Sequence, residues 1–221
     1  ESLQNVSISG STASTSRVVN LEITNESEEG VVFQKVLHAT GEVNGHGNKV
    51  SGTIGIADST SFTDNYFGGS VSIVQGTTLS KVMTIGGNLS ISASVTLTGT
   101  IHVKGNLVQN TSGQLTMNKG SLEVEGNYTI GSNTYYTRLY MQHAEDYVHV
   151  HGNVVYNPYY SSTGYLTAGT FEIGGNLTST RNLYATETHR FLFTGDKRQE
   201  ISIASNEYFA TVELQNYSEE G

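Results

Sequence analysis

Cysteine and tryptophan are absent from this chain, and proline occurs once, at Pro158. Without cysteine there is no disulfide framework, no thiolate zinc knuckle and no thiol nucleophile. Basic residues are also scarce. The 11 Lys plus Arg stand against 20 Asp plus Glu, a formal charge of -9, and a phosphate backbone or anionic membrane needs a concentrated basic face. No nucleic-acid partner is expected. No window reaches about 18 consecutive apolar residues, so no helical membrane insertion is expected, and no basic-then-apolar stretch near the start resembles a secretion leader. Charged residues make up only 14%, while 25 glycines accompany abundant Ser, Thr and Asn. That is neither a helical nor a disordered composition, so strands and turns should dominate.

What the chain has instead is a repeated phrase: apolar, any, apolar, any, Gly-Asn, apolar. The copies are Met83 to Leu89, Ile101 to Leu107, Leu122 to Tyr128, Val148 to Val154 and Phe171 to Leu177. Their glycines, at 87, 105, 126, 152 and 175, lie 18, 21, 26 and 23 residues apart. That spacing fits one coil of a β-solenoid and is too short for a domain. Period-2 alternation sends two side chains of each phrase inward. One inward column is Met83, Ile101, Leu122, Val148 and Phe171; the other is Ile85, Val103, Val124, Val150 and Ile173, every member apolar.

The Gly-Asn pair marks a corner, where Gly accepts positive φ and Asn tolerates the left-handed conformation. Asn88, Asn106, Asn127, Asn153 and Asn176 should form a structural ladder, each side-chain amide bonding the next. A second strand per coil is predicted at Val95/Leu97, Leu115/Met117, Leu139/Met141 and Leu166/Ala168. Earlier strands are predicted around Val31 to Leu37, Val43, Val50, Ile54/Ile56 and Val71/Ile73, with Gly47-Asn48 as an earlier corner; later ones fall at Phe191/Phe193, Ile201/Ile203 and Val212/Leu214. The expected fold class is all-β, a right-handed parallel β-helix of about eight to ten coils.

The chain also resembles itself end to end. Leu21 to Gly30 aligns with Val212 to Gly221 at an offset of 191, and Gln4 to Ser9 with Gln199 to Ala204 at 195. It therefore reads as a single solenoid segment, slightly more than one period of a tandem array. Residues 1–79 are less regular coils, 80–180 regular Gly-Asn coils, and 181–221 the start of the next period.

Among outward positions, Thr84, His102, Glu123, His149 and Glu172 form one column and Gly86, Lys104, Glu125, His151 and Gly174 another. Alternating charge sign serves to hold strand register. The sharper possibility is a transition-metal site at His102, Glu123 and His149, with His151 beside them, since imidazole with carboxylate suits zinc or copper. Nine of the 13 tyrosines fall between 128 and 165. Tyr135, Tyr136, Tyr156, Tyr159 and Tyr160 are placed in inter-strand insertions, either as an aromatic platform for a sugar or protein, or packed over the coils.

Catalytic signals are sparse. Asp58, Asp64, Asp146 and Asp196 are the only aspartates, all in predicted turns, and no Gly-x-Ser-x-Gly, His-Glu-x-x-His or phosphate loop occurs. The Thr96-x-Thr98-x-Thr100 array suited to ice does not recur in neighbouring coils. The Asn-x-Ser/Thr triplets read as incidental in so Asn-rich a chain.

The phrases Leu122 to Ile130 and Leu166 to Leu177, with the His189 to Asn216 block, resemble repeats of very large secreted surface proteins of Gram-positive bacteria, where they build filamentous β-solenoid stalks of adhesins or toxins. The resemblance implies secretion, display at the cell surface or wall, and a structural role with no cofactor and no catalytic residues. Its implied partners are adjacent copies of the repeat, with a glycan or host surface protein beyond them. A carbohydrate-binding module on the tyrosine-rich flank and a β-helix polysaccharide-degrading enzyme are the alternatives.

Overall fold

A computed structural model describes residues 65–219 apart from 68, 75, 132–135, 160, 181–182 and 205. From the first 64 residues it describes six strands, Gln4–Val6, Ser16–Val18, Leu21–Glu22, Val31–Ala39, Val43–Asn44 and Lys49–Ile56, with 23–24. Every element among the described residues is a strand. All the strand pairings are parallel. The chain winds as a parallel β-solenoid.

Each regular turn has three faces. The first carries Asn65–Phe67, Val82–Ile85, Thr100–Val103, Ser121–Val124, Tyr147–Val150, Thr170–Ile173, Arg190–Phe193 and Thr211–Leu214. Met83 pairs with Ile101, Ile101 with Leu122, Leu122 with Val148 and Val148 with Phe171, so the inward column expected from alternation is a real stack. The second face begins at Val71–Ile73 and runs through Leu89–Ile91, Leu107–Gln109, Tyr128–Ile130, Val154–Tyr156 and Leu177–Ser179 to Ile201–Ile203. The third is a separate sheet of Thr77–Leu79, Ser94–Leu97, Gln114–Met117 and Arg138–Met141. Single parallel bridges from Met141 to Leu166 and from Leu166 to Ala185 continue it.

Regular turns begin at Val82, Thr100, Ser121, Tyr147, Thr170 and Arg190. That is about six, fewer than the eight to ten expected from sequence. In the first third, Val31–Ala39 and Lys49–Ile56 each run through the length that later turns divide into two strands. Val50 pairs with Phe67 on the first face and Ile54 with Val71 on the second, with an irregularity between Phe33 and Leu37. The Gly47-Asn48 corner lies outside the described residues. The two blocks aligned by sequence also find different neighbours: Leu21–Glu22 pairs with Val43–Asn44 in a small separate sheet, whereas Val212–Glu213 extends the first face beyond Phe191–Leu192.

The corners work differently from the expectation. None of Gly87, Gly105, Gly126, Gly152 and Gly175 has positive φ, and none of the five asparagines is left-handed. The glycines are there for space. A Cβ on Gly126 would lie 2.5 Å from the Gly105 carbonyl oxygen and 2.6 Å from Asn106 Oδ1, distances no real Cβ tolerates. The asparagine ladder itself is present. Asn88, Asn106, Asn127 and Asn153 each accept, through Oδ1, the backbone N–H of the next asparagine at 2.8 Å. Asn176 accepts likewise from the Glu200 N–H at 2.8 Å. At the lower end Ser70 Oγ accepts from the Asn88 N–H at 3.0 Å. A backbone donor that the bend turns away from the strand ladder is satisfied by a side chain one turn below.

After Phe193 the Gly-Asn phrase gives way to Thr194 through Glu200, and Gln199 takes over the corner. Its amide nitrogen donates to the Ile173 and Gly175 carbonyls at 2.9 and 2.7 Å, while its oxygen accepts from the Gly195 N–H at 3.1 Å.

Inside, the core is a continuous apolar cluster from Phe67 to Phe193. Gln109 interrupts it, fully buried, but its amide donates to the Gly113 and Arg138 carbonyls and its oxygen accepts from the Tyr128 hydroxyl. His189 is the other buried polar group of note. Its Nδ1 donates to the Ala168 carbonyl at 2.7 Å, its ring meets Phe191 edge-on, and its Nε2 has no protein partner. Burial pushes the imidazole pKa down, against the opposing pull of the Ala168 carbonyl and the Asp146 charge. The unfolded chain, with a histidine near 6.5, thus binds a proton that the folded chain refuses. Stability is complete above about pH 6.5 and is lost as pH falls below it, by at most about 1.4 kcal/mol per unit. Urea unfolding at pH 7.5 and 5.5 should show a smaller pH dependence for His189→Phe than for the parent; identical dependence would remove His189 from the account.

Candidate functional site

The outward side chains of the first face are set by the same register that fills the core. His102 pairs with Glu123, Glu123 with His149 and His149 with Glu172, one per turn. Side chains of neighbouring strands on one face stand close enough to interact directly. Beside this row runs the second, nearer the corner, with Lys104, Glu125 and His151. The links between the two rows are diagonal. His151 Nε2 lies 2.9 Å from Glu123 Oε1, and His102 Nε2 lies 3.0 Å from Glu125 Oε1 and 3.8 Å from Glu123 Oε2.

The sequence expectation placed His102, Glu123 and His149 around a metal. The structure stacks all three in consecutive turns, but the group whose ligand atoms converge is Glu123, His149 and His151, all within 4.8 Å of one another. His102 turns toward Glu125 instead. The signal for His151 was its place two residues after His149, which puts both rings on the same face; their centroids are 4.0 Å apart. Glu172 was visible only as a column member. It accepts from the Tyr147 hydroxyl and from Thr194 Oγ1 at 2.8 Å, and stands 3.5 Å from His149 Nε2.

Titration follows from these contacts. The hydrogen bond with His151 holds Glu123 below the ordinary carboxylate value, against some desolvation and helped by His102 and His149. Burial works to raise Glu172, but hydrogen bonds from Tyr147 and Thr194 prevail and keep it low. Burial likewise pushes His149 down, outweighing the pull of Glu172, so at neutral pH its ring is uncharged and offers a nitrogen lone pair. Tyr147 is pushed up by burial and by Glu172.

The tyrosine platform is only partly as expected. Tyr156 belongs to the core, 2% exposed, because Val154-Val155-Tyr156 keeps the in-out-in alternation and its ring stacks in register between Ile130 and Ser179. Tyr135 and Tyr160 lie outside the described residues. Tyr136 and Tyr159 are exposed. A different cluster stands on the third face: Tyr140 and Tyr165 pack at 4.7 Å, Arg138 lies 5.3 Å over the Tyr165 ring, and its Nη1 donates to the Tyr140 hydroxyl at 3.3 Å. Tyr140 is readable as an outward residue of the Leu139/Met141 strand, whereas Tyr165 is brought to it only by the loop before Leu166. Asp146, expected in a turn, is buried there and accepts from the backbone N–H groups of Lys119, Gln142 and His143 at 2.7 to 2.9 Å. It is a loop tie. No helix among the described residues is long and apolar enough to cross a membrane. No protein-family model matches the chain, and neither curated proteins nor solved structures give a significant match.

Proposed function

We propose that this solenoid is a structural segment, a stalk or adhesin section of a secreted bacterial surface filament, working mechanically and without catalysis. The observation that carries the reading is the open upper end. Ile201, Ile203, Val212 and Leu214 continue the inward columns of the two main faces, yet each is at least 40% exposed. Apolar residues in register with a core, on a strand edge that no other described residue covers, are the surface a further turn would bury. The internal alignment supplies the occupant: with Gly30 matching Gly221, a following copy would enter at its residue 31, in the strand Val31–Ala39. Adjacent copies of the repeat are thus the partner, and the Gram-positive resemblance gives the setting.

A chain in which residues 31–221 are joined directly after Gly221 tests this. It should scatter X-rays as one stiff rod close to twice as long as the parent, and Ile203→Lys with Leu214→Lys at the junction should break it into two bodies. Two flexibly linked bodies in the unsubstituted fusion would sink the reading. The cluster of Arg138, Tyr140 and Tyr165 with exposed Tyr136 favours a glycan-binding face as a second reading, because stacked aromatic rings with a charged donor suit a sugar. Binding to a glycan array that is lost in Tyr165→Ala and Tyr136→Ala would support it.

A further inference from the structure

Two imidazoles and a carboxylate from neighbouring turns meet on the outer surface of the first face, and their ligand atoms already lie within 4.8 Å of one another. The geometry points to a divalent transition-metal site formed by Glu123, His149 and His151, which clamps the turn beginning at Ser121 to the turn beginning at Tyr147. This goes beyond the stalk reading and does not rest on it.

The donor set decides the class of ion. Two nitrogens and one oxygen with an open fourth position for water suit zinc or copper, whereas calcium and magnesium demand mostly oxygen. Bond lengths of about 2.0 to 2.2 Å place tetrahedral ligand atoms roughly 3.4 Å apart. Closing from 4.8 Å falls to rotation of Glu123 and His151, whose side chains are 41% and 47% exposed against 20% for His149. His149 is held from its other side. Glu172, fixed by Tyr147 and Thr194, approaches its ring at 3.5 Å, the arrangement by which an outer carboxylate orients a ligating imidazole. Without an ion, His151 rests on Glu123 at 2.9 Å; with one, that contact is replaced by two bonds to a shared centre. His102 is left out: its Nε2 lies 3.0 Å from Glu125 Oε1, outside the converging group.

Calorimetry of the untagged chain with zinc chloride at pH 7.5 should give one saturable site per chain, with no heat from magnesium or calcium. The copper-loaded chain should show electron-paramagnetic couplings to two imidazole nitrogens. His149→Ala and His151→Ala should each weaken zinc binding by at least about ten-fold, while His102→Ala leaves it within about two-fold. Should His149→Ala lose its strand circular dichroism, His151→Asn on the exposed ring carries the same test. Absence of saturable zinc binding, binding untouched by the His151 substitutions, or loss on His102→Ala would each overturn the assignment.

Discussion

Replacing Gly126 by alanine is expected to destabilise the solenoid by about 3 kcal/mol. The cause is not backbone conformation, because Gly126 has an ordinary φ. The added Cβ would sit 2.5 Å from the Gly105 carbonyl oxygen, 2.6 Å from Asn106 Oδ1 and 2.8 Å from the Gly105 carbonyl carbon. Two of those three atoms are backbone of the turn below, so relief requires the turns to separate. Separation would stretch the 3.0 Å Gly126 N–H to Gly105 carbonyl bond and the 2.8 Å Asn127 N–H to Asn106 Oδ1 bond together. Two controls isolate the effect. Gly76→Ala meets only Ser94 O at 3.5 Å and should be neutral within about 0.5 kcal/mol. Gly164→Ala has open space but φ of +76°, so it should cost only the left-handed penalty of about 1 to 2 kcal/mol. Urea denaturation would measure all three, and Gly126→Ala falling level with Gly164→Ala would show that the corner yields.

Phe171→Ala is expected to cost about 3 to 5 kcal/mol, the range for deleting a fully buried aromatic side chain. Phe171 is 1% exposed and lies at the centre of an aromatic run through the core. Its ring is 6.2 Å from that of Tyr128 and stacks at 5.6 Å on Phe191, which in turn meets Phe209 edge-on at 5.1 Å. Collapse into the hole is opposed by the rungs on both sides, because Val148 and Phe191 are held in register by parallel pairing. The loss should therefore be local first. Hydrogen exchange should quicken in the turns from Tyr147 to Phe193 before the Val82 to Val103 turns respond, as expected when each repeat contacts only its neighbours. Uniform acceleration along the whole chain would contradict that view.

How far the residues announced this arrangement depends on which interaction placed them. The inward columns, Met83 to Phe171 and Ile85 to Ile173, were readable because alternation and burial have the same period. The asparagine ladder was readable from its spacing, but its chemistry was not. Gly105 and Gly126 suggested backbone freedom, when the governing constraint is a neighbour roughly one strand spacing away that a linear reading does not show. Tyr156 looked like part of a loop because Pro158 and Tyr159 follow it, and the in-out-in count from Val154 overrode that impression. His151 replaced His102 in the converging group because the contacts run diagonally between rows, and a diagonal depends on rotamers rather than on register. The pairing of Tyr140 with Tyr165 was hidden for the same kind of reason: one sits on a strand, and the other arrives by a loop.

The chain of side-chain acceptors from Asn88 to Asn176 has a direction. Every completed corner offers a side-chain oxygen to a residue that comes later in the polypeptide, while the residue after each asparagine donates its N–H to the carbonyl of the next one, as Leu107 does to Asn127. A chain emerging amino end first would therefore offer each new turn a ready side-chain acceptor for its corner, and the arriving asparagine's carbonyl would complete the corner beneath it.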